Sequence, residues 1–164
     1  MSTERADKVL RQQLVALLRG GNAHMPFDQA IADFPMEHIN TRPPEVPYTF
    51  WHLLEHIRIA QWDILDFIHN TNYKPLKWPE GYWPDPETEA DPDEWVKTIN
   101  TFRADLNALV TLAENPATDL TAELPHAAGY TVLREILVVA DHNAYHIGEF
   151  AILRQVMGLW PGQS

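Results

Sequence analysis

The segment Asp141-His142-Asn143-Ala144-Tyr145-His146-Ile147-Gly148-Glu149 carries the residues best suited to chemistry in this chain. On a helix, spacings of four and then three place His142, His146 and Glu149 on one face. Two neutral imidazoles one turn apart form a pincer for a transition-metal ion, and a neighbouring carboxylate can ligate, accept a hydrogen bond or take a proton. His56, inside another strong helical pattern, is a candidate third ligand. Spacing alone leaves other readings open. His56 also suits a half-buried histidine bonded to a neighbour, and His142 and His146 also suit a polar network or a solvated face.

Apolar periodicity supplies the elements that must carry these side chains. Val9, Leu10, Leu14, Leu17 and Leu18 predict a first helix over Thr3 to Arg19, ended by Gly20-Gly21-Asn22. Prolines 26, 35, 43, 44 and 47 break the chain that follows, so it should wrap the domain with room only for a short helix around Phe27 to Asp33. Thr49 suits the N-cap of a second long helix, running to about His69 along Phe50, Leu53, Leu54, Ile57, Ala60, Ile64, Leu65 and Ile68. Rotating about 100° per residue puts His56 at the edge of that apolar face and His52 further round, toward solvent or a supporting role.

A long loop from Asn70 to Asp93 holds five prolines yet keeps Trp78, Tyr82 and Trp83, as a segment packed down over a site or partner surface would. Trp95, Ile99, Phe102, Leu106, Leu109 and Leu112 predict a third long helix after Asp91, stopped at Asn115-Pro116. Thr131 caps a fourth, expected to reach about Met157. In it, Leu133, Leu137, Ala140, Ala144, Ile147 and Ala151 are expected to fill the core, with the histidines opposite. Asp141, Asn143 and Tyr145 lie beside the histidine strip and are candidates for orienting the ligands. His24, His38, His69 and His126 have no partner at ligand spacing. Four long helices without strand alternation predict an all-α chain, a four-helix bundle in one domain over residues 1–164.

Composition narrows the function classes. With 164 residues, 45% of them hydrophobic, one core suffices. The 23 acids against 12 Lys and Arg give a formal charge of −11, which argues against nucleic acid and anionic membranes as partners. The absence of cysteine excludes disulfides, thiolate ligands and a cysteine nucleophile, so thiol chemistry would need a thiol from outside. No signal-like segment or membrane-length apolar run is present, and a cytoplasmic protein is expected.

Trp51-His52-Leu53-Leu54-Glu55-His56-Ile57 in the second long helix, paired with Asp141 to Glu149 in the fourth, resembles the DinB-like (DinB/YfiT) superfamily of metal-dependent enzymes. The order and separation of the two motifs match, and the likeness covers most of the domain, least in the first helix. The resemblance implies a four-helix bundle, commonly a homodimer, with a divalent metal held by three histidines, here His56, His142 and His146. Family members often have Gln where this chain has Glu149; a carboxylate there could ligate, hydrogen-bond a bound water or act as a base, and in the last role Glu149 is the candidate catalytic group. Three neutral ligands leave a coordination position open to water or to a low-molecular-weight thiol, giving a hydrolase or an S-transferase acting on a small molecule. Zinc or nickel is the expected metal, and iron or manganese would also be accepted. The rival expectation is a non-catalytic, metal-stabilised bundle that binds a partner.

Overall fold

The computed structural model describes residues 2–162. Its elements follow in the order α1 (Ser2–Arg19), α2 (Phe27–Ile31), a 3-10 turn (Met36–His38), α3 (Phe50–His69), α4 (Pro92–Glu114), β1 (Glu123–Leu124), β2 (Ala127–Thr131) and α5 (Val132–Val156). The four long helices fall where the apolar periodicity places them, and each of the last three begins at a side-chain cap. Oγ1 of Thr49 accepts the His52 amide at 3.1 Å, a carboxylate oxygen of Asp91 accepts the Glu94 amide at 2.8 Å, and Oγ1 of Thr131 accepts the Arg134 amide at 3.1 Å. These bonds satisfy donors that a helix leaves unpaired in its first turn. Pro92 occupies the first turn of α4, where it sacrifices no helical hydrogen bond.

Cross-helix partners give the directions. Trp51 meets Thr98 and Gln61 meets Phe102, so the neighbours α3 and α4 run the same way. Tyr48 meets Glu149 and Gln61 meets Asn143, so α5 runs against α3. Parallel neighbours cannot be joined by a tight turn. The chain leaving α3 must return the length of a 20-residue helix, roughly 30 Å, before α4 can start. The proline-rich segment 70–91 makes that return across the α3–α5 side of the domain, where its backbone meets His52 and His56.

Two apolar clusters fill the interior. One is aromatic, with Phe27, Phe34, Phe50, Trp95, Phe102 and Phe150 at its centre. Phe27 stacks on Phe102 with ring centroids 3.9 Å apart, which seats the wrapping segment against α4. The other is largely aliphatic and joins Leu14 and Leu18 of α1 to Leu109, Val110, Ile136 and Val139. Arg154 ties the wrap to α5: the side chain is 0% exposed and donates to the carbonyls of Ala30, Asp33 and Leu159.

Two expectations need correction, and one small element was not expected; the chain is all-α as expected apart from that element. The core stripe of α5 is formed by Ile136, Val139, Ala140, Asn143, Ile147, Phe150 and Arg154, while Leu137 is 44% exposed. The buried face is thus turned roughly 60° toward the histidines, which flank the core and do not oppose it. A hydrophobic pattern misses this because two members of the real stripe are polar and are buried only by having partners, Gln61 for Asn143 and three carbonyls for Arg154. His52 is not near solvent: it is 2% exposed, its Nδ1 accepts from the Thr49 amide and its Nε2 donates to the Thr88 carbonyl at 2.8 Å. The short hairpin β1–β2, with Glu123 opposite Thr131, was also unforeseen, since two paired residues leave no alternation to read.

Candidate metal centre

His56 projects from the middle of α3, and His142 and His146 project from the antiparallel α5 beside it. Nε2 of His56 stands 3.2 Å from Nε2 of His142 and 3.3 Å from Nε2 of His146. One nitrogen from each ring lies within 4.8 Å of the others, a grouping that could hold a metal ion. Ligands about 2.0–2.1 Å from a tetrahedral ion stand about 3.3–3.4 Å apart, so the two closest pairs already have the spacing of a coordination shell.

The proton positions sharpen this. Nδ1 of His56 lies 2.8 Å from the Tyr82 carbonyl, which can only accept, so Nδ1 carries the proton and Nε2 is left with a lone pair. Nδ1 of His146 lies 2.6 Å from Oε2 of Glu149. The Glu149 carboxyl is held below its usual range: burial pushes it up, and the bonds from His146 and Tyr48 outweigh that. An ionised carboxylate accepts, so Nδ1 of His146 carries a proton, and in the neutral ring that ligates a metal Nε2 is the free nitrogen. In their neutral forms, with Nδ1 protonated, the two rings turn Nε2 lone pairs toward a common centre 3.3 Å apart, as ligation of one ion requires. Burial is also the main reason His56 is depressed below its ordinary value and His142 is brought down to about 4, with the neighbouring histidines adding to the effect. Neutral imidazole is the form that ligates.

A frame of aromatic and carboxylate groups holds the rings. Trp83 stacks flat on His56, with centroids 3.9 Å apart and planes 3° from parallel. Tyr48 stacks on Trp83 at 4.9 Å and donates its hydroxyl to Oε1 of Glu149, closing a loop from His56 through Trp83, Tyr48 and Glu149 to His146. Its phenol is pushed above its ordinary value, by burial first and by Glu149 second, and so keeps its proton as a donor. Nδ1 of His142 is buried and makes no hydrogen bond, leaving that ring the least constrained of the three. The three histidines also line a cavity of about 460 Å3 whose other walls include Ala60, Ile64, Leu76, Trp78 and Tyr82.

The structure brings together His56, His142, His146 and Glu149, all four singled out in the sequence. It assigns Glu149 to Nδ1 of His146, with both carboxylate oxygens engaged. The expected orienting trio fares differently. Asn143 turns inward to Gln61, Asp141 is exposed, and Tyr145 is 72% exposed, with its ring edge-on to His146. His24, His38 and His126 bond to Met25, Thr41 and Phe67 away from the site, and His69 is exposed. The groups that do orient the ligands, Tyr48, Trp83 and the Tyr82 carbonyl, were not read from the sequence. The aromatics kept in a proline-rich stretch were the available signal for Trp83; a backbone carbonyl leaves none.

The sequence pattern describing the DinB superfamily matches residues 22–150. No curated protein and no solved structure matches the chain. No helix among the described residues is long and apolar enough to cross a membrane.

Proposed function

We propose that this chain, which belongs to the DinB superfamily, is a metal-dependent enzyme that binds one divalent ion through Nε2 of His56, His142 and His146 and acts on a small molecule. The observation that carries the reading is the 3.3 Å approach of two imidazole nitrogens whose protons are both drawn to the far side of their rings. Zinc or nickel suits three neutral imidazoles at this spacing, with iron or manganese as further candidates. When bound, such an ion acts as a Lewis acid that lowers the pKa of a water or a small thiol at its remaining position.

The chain's own groups prepare for this. The Tyr82 carbonyl and the Glu149 carboxylate hold protons at Nδ1 of His56 and His146, fixing ring orientation and raising ligand basicity. Tyr48 holds Glu149 in place, so its first role here is to position His146, and proton acceptance from a bound water would follow only on its release from these bonds. The adjoining cavity leaves room for a substrate beside the ligands, as a catalytic site needs and a closed structural site does not. The two reaction classes consistent with this are hydrolysis and transfer of a thiol to an electrophile, the thiol then coming from outside because the chain has no cysteine.

The test is metal analysis of tag-free protein, followed by zinc- and nickel-loaded assays on ester and amide panels and on thiol-plus-electrophile panels. His56→Ala, His142→Ala and His146→Ala should each lose metal and turnover, and His126→Ala should lose neither. Equal metal content in all four variants would remove the ligand assignment. Retained metal with no turnover in any panel, and an ion whose removal merely melts the fold, would replace the enzyme with a metal-stabilised bundle.

A further inference from the structure

The cavity beside the three histidines says what kind of molecule it accepts. On α3, His56, Ala60, Asp63 and Ile64 follow one another along the cavity wall. Asp63 lies seven residues beyond His56, roughly 10 Å along the helix axis. Ala60, Ile64 and Leu76 on the wall are apolar, and Trp78 adds an indole face with a single N–H donor. Trp78 is 68% exposed, the most open tryptophan face beside the cavity. Neither lysine nor arginine lines the cavity, and its one carboxylate is Asp63.

Asp63 is already engaged. Its oxygens accept the Tyr73 hydroxyl at 3.0 and 3.2 Å and the Tyr82 hydroxyl at 2.8 Å. The Tyr82 hydroxyl, the one phenol on the cavity wall, is thereby committed to the protein, and the group it faces is a carboxylate. An anionic tail would meet a buried carboxylate with no counter-charge on the cavity wall, while a ring would find the Trp78 indole.

We infer that the metal site serves a hydrophobic, ring-bearing small molecule whose reacting polar group faces His56, His142 and His146 and whose body, uncharged or at least not anionic, lies along Ala60, Ile64, Leu76 and Trp78. Trp78 and Asp63 are the specificity determinants, one favouring the ring and the other rejecting negative charge. This rests on the metal-centre reading above. The cavity volume of about 460 Å3 falls in the about 300–1,000 Å3 range of small-molecule sites.

Three hydroxamates sharing one metal-binding group test it on the zinc-loaded chain by calorimetric titration. Acetohydroxamate carries no body, benzohydroxamate adds a ring, and 4-carboxybenzohydroxamate adds a distal anion. Benzohydroxamate should bind about tenfold tighter than acetohydroxamate, the gain expected from burying much of one ring. The distal carboxylate should abolish that gain. Trp78→Ala, a change at an exposed side chain, should bring benzohydroxamate close to acetohydroxamate and leave the latter unaltered. Equal affinities for all three ligands overturn the substrate class while leaving the metal-centre reading intact. A ring preference that survives Trp78→Ala overturns the placement of the ring. Failure of every hydroxamate to bind protein that retains zinc overturns this inference and the open metal site together.

Discussion

Replacing Glu149 by Gln isolates the carboxylate that holds His146. The bond from Nδ1 is 2.6 Å long and ends on an ionised acceptor, a charge-assisted contact of about 1.5–3 kcal/mol against about 0.5–1.5 kcal/mol for a neutral amide oxygen in the same place. Gln keeps the shape and loses about 1–1.5 kcal/mol of that bond, which corresponds to about tenfold in zinc affinity if the bond acts through ligand basicity and orientation. Glu149→Ala removes the acceptor altogether and should approach the about hundredfold upper end for such supporting groups. Tyr48→Phe leaves the carboxylate in place without its second restraint and should cost less than either. Competition against a chromophoric chelator at fixed pH measures all three variants, and thermal melts of the metal-free proteins show whether the fold is intact. The expected order of zinc affinity is wild type, Tyr48→Phe, Glu149→Gln, Glu149→Ala. Wild-type affinity in both Glu149 variants would refute the claim that this carboxylate acts through His146.

Two further outcomes follow from the same geometry. The metal-free protein should lose stability as pH falls from about 6.5 to about 4, because His142 resists protonation in the fold down to about 4 while the unfolded chain takes up that proton near 6.5. The unfolded state binds more protons throughout that window, so the contribution is complete above it and gone below it; His56 acts in the same direction, and denaturant midpoints flat across the window would contradict the assignment. Arg154→Ala should destabilise the chain by about 3 kcal/mol or more, since three carbonyls lose their donor and a fully buried side chain leaves a cavity, and a loss below about 1 kcal/mol by denaturant melts would show that the tie to the wrapping segment is dispensable.

How much of this was written in the sequence depends on the range of the interaction. The long helices were legible because their signals are local: apolar residues at helical spacing, and Thr49, Asp91 and Thr131 where caps are needed. So was the candidate grouping, since a helix fixes which face His142, His146 and Glu149 share, and the paired motifs pointed to His56. The rotation of α5 was not legible. It is decided by whether Asn143 and Arg154 find partners from Gln61 and from the wrapping segment, more than 80 residues away in sequence.

The sequence by itself thus determined the long helices, the imidazoles and the absence of any thiol in the chain. Only the tertiary structure decided which nitrogen of each ring faces the centre and what stands behind it. The parallel run of α3 and α4 forces a long return of the chain, and that return delivers the Tyr82 carbonyl, the Trp83 face and the Thr88 carbonyl to histidines of α3. A carbonyl is the same in every residue, so no pattern of side chains can announce it. Its effect depends on the direction in which a distant backbone group points, and that is fixed only when the helices have packed.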